Sequence, residues 1–252
     1  WSDDLRQVNG REFAMQVPGI GNFYAHDGRF VEYTAAPGAD PDWIRLYLNG
    51  QVLVALLHQR RIINFHASSF IHGARGIMIL GETGAGKSSL TAAFALKGGG
   101  FLSDDLTPVI FRNSKPHIWP VTGAIKLDEQ SVGQLNINAG MLTMAEAGTG
   151  KQYLKVRSAV AETFPLNRLL KIGTGDCLTP QFNEPLPAEQ FTMLRSEICS
   201  WDILAGMPET EAEYLHQILE IVRQVKIVKV VRPVAIEVSA LHAAVRDYLD
   251  GS

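Results

Sequence analysis

The sequence predicts an α/β fold in which helices pack on a mixed β-sheet. The all-apolar run Ile77–Leu80 has the length and composition of a strand covered on both faces. A helical segment, Ser88–Leu96, follows it after a glycine-rich turn and is closed by Gly98–Gly100. Elsewhere strand-like and helix-like segments follow one another in a mixed order, so antiparallel strands are expected beside parallel ones.

The N-terminal part is predicted to contain strands and one long helix. The strands are Glu12–Val17 and Asn22–Tyr33, the latter folded into a hairpin by the turn Asp27-Gly28. Asp40 suits an N-cap and Pro41 the first helical position, so a mostly buried helix should run to about Gln59. We therefore expect residues 1–60 to pack on a core formed by residues 61–252 as one compact unit.

The remaining elements are read from apolar patterns and turn residues. Strands are predicted at Ile62–His66, Ser69–Ile71, Phe101-Leu102, Leu106–Phe111, Ile118-Trp119, Ile125–Leu127, Leu169–Ile172 and Lys226–Val231. Glu211–Val225 has one apolar face and predicts an amphipathic helix, and Ser239 is the expected N-cap of a last helix ending at Leu249. Gly140–Lys151 is expected to be a mobile loop, and residues 112–210 are otherwise weakly patterned.

Composition favours a cytoplasmic globular protein and argues against several partners. The net charge of −3 gives no indication of a nucleic-acid partner, which would require clustered Lys and Arg. No apolar run approaches the ~18 residues of a membrane span, and no signal peptide is evident, so no membrane partner is expected. Cys177 and Cys199 form neither a disulfide framework nor a zinc pattern.

A phosphate-binding motif lies between the predicted strand and helix. Its glycines allow backbone N–H groups to curl around an anion, and the helix N-terminus adds partial positive charge. Lys87 should reach the terminal phosphates of ATP, and the Ser88 hydroxyl should ligate Mg²⁺. The predicted nucleotide-binding residues are Gly81, Glu82, Thr83, Gly84, Ala85, Gly86, Lys87, Ser88 and Ser89.

Two consecutive carboxylates and one histidine are further candidates. Asp104 and Asp105 follow the next predicted strand, where one could hold Mg²⁺ and the other could take the proton of an attacking hydroxyl. The alternative is a pair of solvated loop aspartates or a helix cap. His66 lies between apolar residues, where a histidine is more often a satisfied core group than a catalytic one.

Together these segments resemble the catalytic core of HPr kinase/phosphorylase. The segments that carry the resemblance are His66–Ser68, Ile77–Leu80, Gly81–Ser88, Gly98–Gly100 and Asp104-Asp105. It implies a P-loop fold akin to phosphoenolpyruvate carboxykinase. It further implies that Asp104 is the base toward a serine hydroxyl, that Asp105 helps Ser88 with the metal, and that His66 lies close to the base.

Weaker similarity surrounds this core. Val17–Phe23, Leu56–Arg60 and Ile125–Leu127 resemble HPr-kinase-related proteins that occur with peptide-modification systems, including lasso-peptide kinases. These kinases phosphorylate a serine of a ribosomal precursor peptide. The chain shows no clear copy of the family's second glycine-rich signature, so HPr itself is not the expected acceptor.

These observations predict an ATP- and Mg²⁺-dependent kinase whose acceptor is a serine of a peptide or small protein. The catalytic residues would be Asp104, His66 and Lys87, with Ser88 and Asp105 at the metal. A homo-oligomer is compatible with the sequence. Two alternatives stay open: a kinase of small-molecule hydroxyls, since a phosphate loop does not specify the acceptor, and a nucleotide-gated regulatory module without phosphoryl transfer.

Overall fold

A computed structural model of the chain describes residues 5–121, 123–145, 150–156 and 162–251. The strands are β1 (Arg6–Val8), β2 (Glu12–Val17), β3 (Gly21–His26), β4 (Phe30–Ala35), β5 (Asn64–Phe65), β6 (Ala67–His72), β7 (Arg75–Leu80), β8 (Gly100–Ser103), β9 (Thr107–Arg112), β10 (Lys115–Ile118), β11 (Ala124–Leu127), β12 (Leu142–Ala145), β13 (Gln152–Lys155), β14 (Phe164–Thr174), β15 (Gln181–Asn183) and β16 (Lys226–Arg232). The predicted α/β class with a mixed sheet is confirmed.

The helices lie on the faces and at the edges of these strands. They are α1 (Pro41–Tyr47), α2 (Leu53–Gln59), α3 (Lys87–Leu96), α4 (Glu129–Gln134), α5 (Pro187–Ser196), α6 (Trp201–Leu204), α7 (Pro208–Gln224) and α8 (Val238–Asp250). A π-helical segment, Leu48–Val52, joins α1 to α2, and a 3₁₀ turn, Ala139–Met141, precedes β12. Within the described residues no helix is long and apolar enough to cross a membrane.

The N-terminal strands β1 to β4 form an antiparallel sheet in sequence order. Alternate side chains of β2 and β3 point inward, and Phe13 and Phe23 are fully buried in the main core cluster. Asp27 and Gly28 have φ values of 53° and 62°, the pair of left-handed residues that a tight hairpin turn requires. The hairpin predicted at these two residues is therefore present.

The large sheet positions the site. Its strands run β8-β6-β7-β14-β16-β15, and β10, β9 and β5 branch from β14. The strands β7, β14 and β16 are parallel, so their carboxyl ends meet at one edge. Ligands of open α/β sheets bind outside that edge.

Both faces of the parallel strands are covered. On β7, Ile77 and Ile79 pack with α3 and α8, whereas Met78 and Leu80 join the opposite cluster with α7 and the N-terminal sheet. This two-sided burial explains why Ile77–Leu80 is apolar at every position. A smaller antiparallel sheet, β11-β13-β12, places Ile125 against Ala92 of α3.

Three local predictions were wrong. The helix predicted from Pro41 to Gln59 is interrupted at Gly50, whose φ and ψ of −98° and −105° are not helical. The last helix begins at Val238 with Glu237 as N-cap, and Ser239 lies inside it. The loop predicted over Gly140–Lys151 contains strand β12, while residues 146–149 lie outside the described part of the chain.

Candidate functional site

The phosphate loop Gly81–Gly86 joins β7 to α3, as the sequence predicts. Gly84 and Gly86 have φ values of 81° and 101°, a region that residues with a side chain rarely adopt. Gly81 is required for a different reason, because a Cβ there would lie 2.5 Å from the Ile172 carbonyl oxygen of β14. The loop is therefore fixed both by its own conformation and by the neighbouring strand.

Lys87 opens α3 and folds back over this loop. Lys87 is only 6% exposed. Its Nζ donates hydrogen bonds to the carbonyls of Gly81 at 2.6 Å and Glu82 at 3.3 Å. Burial lowers the pKa of Lys87, while the nearby charges of Glu197 and Asp105 oppose that shift. The ammonium thus lies against the backbone that would surround phosphates.

Arg232, at the carboxyl end of β16, holds the same loop from outside. Its Nε donates to the carbonyl of Ala85 at 2.9 Å, and its NH2 group donates to the carbonyl of Gly84 at 3.3 Å. The remaining nitrogen donates to the carbonyls of Pro233 and Val234. Sequence reasoning missed Arg232. The available signal was its position at the carboxyl end of a buried strand, because ligands of open α/β sheets bind outside that edge.

Asp104 is buried at the first turn of α3. It is 2% exposed, and its Oδ1 accepts hydrogen bonds from the hydroxyls of Ser68 and of Ser88, the latter at 2.9 Å. Its Oδ2 accepts from the backbone N–H of Lys126 at 2.8 Å. Burial raises the pKa of Asp104, and the bonds from Ser68 and Lys126 oppose that rise.

Asp105 points the other way, because its φ of 68° turns the chain. Its side chain is 41% exposed, forms an ion pair with Lys126 and lies 3.8 Å from Nδ1 of His66. Burial alone would raise the pKa of Asp105, but the charge and hydrogen bond of Lys126 outweigh it and lower the pKa below its usual range. This carboxylate is therefore ionised at neutral pH.

His66 lies between β5 and β6, with its backbone N–H bonded to the Glu197 carbonyl at 2.8 Å. Its Nδ1 is 3.2 Å from the Asp105 carbonyl, which places the proton of the neutral ring on Nδ1. Burial and the charge of Lys87 lower the pKa of His66, although Asp105 opposes them. The imidazole is neutral at pH 7.

The two expected pairings are exchanged. The resemblance implies Ser88 with Asp105 and His66 with Asp104, whereas the described contacts join Ser88 to Asp104 and His66 to Asp105. Two adjacent residues in one loop look equivalent in the sequence. The left-handed backbone at Asp105 sends their side chains to opposite sides.

Other residues near the phosphate loop make contacts that the sequence did not predict. Ser89, expected at the nucleotide, is hydrogen-bonded through its hydroxyl to Ser131 of α4 at 2.7 Å. Lys171 of β14 and Glu197 form a largely buried ion pair behind the loop. Lys171 pairs with Leu80, the residue just before the loop, on the neighbouring parallel strand. The sequence signal for this ion pair was a lysine inside the otherwise apolar predicted strand Leu169–Ile172.

The donor set suits Mg²⁺ bound together with phosphates. One hydroxyl, Ser88, and one carboxylate, Asp104, adjoin the loop, and Mg²⁺ in nucleotide sites takes one or two carboxylates and completes its shell with phosphate oxygens and water. No cluster of three or more His, Cys, Asp or Glu side chains that could hold a metal occurs among the residues described. The pair Ser88 and Asp104 fits a metal that is shared with a nucleotide.

A large cleft begins on the far side of the aspartates. It measures about 1610 Å³ and is lined by Asp104, Asp105 and His66 at its inner end. Its walls come from the α1–α2 region and from the sheet β11-β13-β12. They include Arg45, Gln51, Lys126, Thr143, Tyr153 and Lys155. None of the described loop residues Gly81–Ser88 lines it, so the aspartates separate two spaces.

Comparison with known proteins gives a similarity to solved structures. No family model and no curated protein matches the chain. Among solved structures, the chain is similar to one described as the Hpr(Ser) kinase/phosphatase from Coxiella burnetii. The identity is 15%, the match covers 75% of this chain and 97% of the other, and the TM-score is 0.40.

Proposed function

We propose that the protein is an ATP- and Mg²⁺-dependent kinase that phosphorylates a serine hydroxyl of a peptide or small protein. The main support is the position of two consecutive carboxylates between a phosphate loop and a cleft. Asp104 contacts Ser88 on the loop side, whereas Asp105 faces the cleft beside His66. A protein that only bound nucleotide would not need a second carboxylate on the far side of the phosphates.

The loop side would bind the nucleotide. Backbone N–H groups of Gly81–Gly86 and the N-terminus of α3 offer partial positive charge to phosphate oxygens. Lys87 adds a full charge when it leaves the carbonyls of Gly81 and Glu82. Arg232 keeps the carbonyls of two loop residues turned outward, which leaves the N–H groups to the ligand.

Ser88 and Asp104 would hold the metal. When bound, Mg²⁺ neutralises charge on the terminal phosphates of the nucleotide. Asp104 must be ionised to serve, so its raised pKa means that metal binding releases a proton when the carboxyl is protonated. This assignment exchanges the roles that the family resemblance implies for the two aspartates.

Asp105 would then orient the acceptor hydroxyl and take its proton. The hydroxyl oxygen forms a bond to the γ-phosphorus, the bond from that phosphorus to the bridging oxygen of ADP breaks, and the hydroxyl proton passes to Asp105. A strong base is unnecessary, because phosphoryl transfer proceeds through a loose transition state in which positioning dominates. His66 is a positioning residue. Its Nδ1 is hydrogen-bonded to the backbone carbonyl of Asp105 and so holds the turn at Asp105.

The size of the cleft favours a peptide over a small molecule. Sites for small ligands are usually about 300–1,000 Å³. The cleft of about 1610 Å³ exceeds that range without including the phosphate loop. An extended chain fills such a space better than a single sugar or alcohol.

Transfer of labelled phosphate from ATP tests the proposal. Serine peptides should be labelled, and matched peptides with alanine in place of serine should not. Labelling of small polyols alone would establish a small-molecule kinase. Tight ATP binding without transfer to any acceptor would establish the regulatory module instead.

The aspartate pair tests the division of roles. Asp105→Asn should slow transfer by about 10²-fold or more while the Mg²⁺ requirement stays unchanged, because the proton acceptor is lost and the proposed metal-holding residues Ser88 and Asp104 remain. Asp104→Asn should raise the Mg²⁺ concentration needed for half-maximal rate. The opposite pattern would restore the roles implied by resemblance, and normal rates in both variants would make the pair structural.

A further inference from the structure

Part of the cleft wall is apolar and begins directly beside Asp105. Leu106, the next residue, is buried and packs in one cluster with Val54 of α2. Leu53 and Val121 pack against the same cluster and are only half-buried. Four residues of this group line the cleft and form its apolar patch: Leu53, Val54, Leu106 and Val121. Apolar surface therefore adjoins the place where the acceptor hydroxyl is proposed to lie.

The small sheet β11-β13-β12 adds apolar surface to the same space. Leu142 of β12 and Val156, the residue after β13, line the cleft and are half-buried. Both pack against the core cluster that contains Ile125 of β11. Half-buried apolar side chains lose further contact with water when a ligand covers them, which favours an apolar ligand.

Charge in the cleft favours neither an acidic nor a basic ligand. Three carboxylates and three cationic side chains line it: Asp42, Asp104, Asp105, Arg45, Lys126 and Lys155. Asp42 forms an ion pair with Arg45, and Asp105 forms one with Lys126. With both signs balanced, apolar contact is the main basis on which the lining can select a ligand.

A buried acceptor in the cleft requires an N–H group. Gln51 of the π-helical segment lines the cleft, and its Oε1 is buried without a hydrogen-bond partner among the described residues. Buried polar atoms are normally satisfied. A peptide N–H would satisfy this oxygen, whereas a hydrocarbon chain has no donor to offer. The cleft therefore suits a peptide segment better than a purely apolar molecule.

We propose that the cleft binds an extended acceptor segment in which a bulky apolar residue lies close to the phosphorylated serine and packs on the apolar patch. This inference rests on the proposed kinase function and adds the chemistry of the acceptor. Asp105, the proposed proton acceptor, is followed directly by Leu106 of the patch. Successive residues of an extended chain are about 3.3 Å apart, so an apolar side chain one or two positions from the serine reaches the patch.

Binding of non-phosphorylatable peptides tests this independently of transfer. Fluorescent, uncharged peptides with alanine in place of serine, blocked at both ends, would carry either Leu or Asn on both sides of that alanine. Anisotropy should show the Leu peptide binding about tenfold more tightly, because only Leu gains from leaving water. The difference should persist at high salt, which screens charge. Equal affinities, or a difference that salt abolishes, would overturn the inference.

An isosteric change in the patch locates the effect. Val121→Thr replaces a methyl group by a hydroxyl and should weaken the Leu peptide about threefold without changing the affinity of the Asn peptide. Val31→Thr on β4 is the matched control, since Val31 is 39% exposed and is not part of the cleft lining. It should change neither affinity. Equal effects of the two variants would place the binding surface elsewhere.

Three further outcomes separate the possible explanations. Displacement of the Leu peptide by N-acetyl-leucinamide at the concentration at which the unlabelled peptide displaces it would assign the patch to a small apolar ligand and overturn the inference. Preference for the Leu peptide without phosphate transfer to its serine form would contradict the kinase function and keep the segment site. Transfer with equal kcat/KM to serine peptides flanked by Leu or Asn would contradict the site and keep the kinase.

Discussion

The phosphate loop and the cleft proposed to hold the acceptor are adjacent, yet they are built in opposite ways. The loop Gly81–Ser88 is one continuous segment whose recognition groups are backbone N–H groups, and its donors Lys87 and Arg232 are directed at carbonyls. The cleft draws its walls from α1–α2, the sheet β11-β13-β12 and Ile198–Ser200. Under the proposed function it would recognise its ligand through side chains. The loop is suited to one invariant group, phosphate, whereas the cleft can be altered one side chain at a time.

The largest effect is expected where the loop depends on a single side chain. Lys87→Ala should reduce kcat/KM by about 10³-fold or more, because no other described residue donates a positive charge from within the loop. Calorimetric titration with Mg·ATP and steady-state kinetics measure it. The ligand-free melting temperature should change little, since the hydrogen bonds described for the Lys87 side chain go to its own loop.

Lys115→Ala is the control for that measurement, since its side chain is exposed and remote from both spaces. Unchanged Mg·ATP binding by folded Lys87→Ala would remove the phosphate loop from the proposal. The cleft would then have to be explained without a nucleotide.

Lowering the pH should destabilise the fold through His58, which is hydrogen-bonded to the cleft residue Cys199. His58 is fully buried, with Nε2 at 3.0 Å from the Cys199 carbonyl and Nδ1 at 2.9 Å from the Tyr214 hydroxyl. Burial lowers the pKa of His58 to about 4. Because the folded pKa lies below the unfolded value near 6.5, stability is complete above pH 6.5 and falls as the pH drops toward 4, by about 2 kcal/mol at pH 5.

Urea unfolding at pH 7 and pH 5 measures this contribution. His58→Gln should lose about 2 kcal/mol less than the wild type between the two pH values, because Gln does not titrate. The exposed His216→Gln is the control and should keep the wild-type difference. An identical pH dependence in His58→Gln would show that the imidazole is not held neutral.

Arg232 tests whether the loop needs its outer support. Arg232→Gln should weaken Mg·ATP binding about tenfold, because the carbonyls of Gly84 and Ala85 lose their donors and are free to turn inward. Peptide affinity should not change, since the cleft does not contain Arg232. Arg246→Gln on α8 is the matched control, and equal losses in both variants would indicate a general electrostatic effect.

The smallest effect concerns His66, at the boundary of the two regions. A protonated His66 would stabilise ionised Asp105 and lower its basicity, so activity should fall as the pH drops below about 6.5. His66→Ala should flatten this acid limb and reduce turnover about three- to tenfold, with Mg·ATP affinity retained. A lower melting temperature with an unchanged pH–rate profile would make His66 structural.

The same contrast explains what the sequence could and could not predict. Strand β7, the loop and helix α3 follow from adjacent residues, because an apolar run, three glycines and a helix start act locally. Helix α7, predicted as Glu211–Val225 and found as Pro208–Gln224, follows from a strong apolar period. The helix α5 was missed because its first turns are polar and exposed.

The cleft depends on pairings between segments far apart in the chain. The sequence around Tyr153 and Lys155 does not indicate that β13 lies beside β11, because short exposed strands show little hydrophobic periodicity. The break at Gly50 was also invisible, because an isolated glycine within an apolar helical pattern is usually tolerated. Which aspartate faces which space depended on one φ angle, that of Asp105.

The bonds from Lys87 to its own loop set a threshold for ligands. An incoming anion must displace the carbonyls of Gly81 and Glu82 from the ammonium before it gains that charge. The net gain is therefore only the difference between bonds to phosphate and bonds to peptide carbonyls. We expect that a singly charged anion such as acetate would not offset this exchange, whereas linked phosphates would meet several N–H groups at once. The loop should therefore discriminate against the small anions abundant in solution.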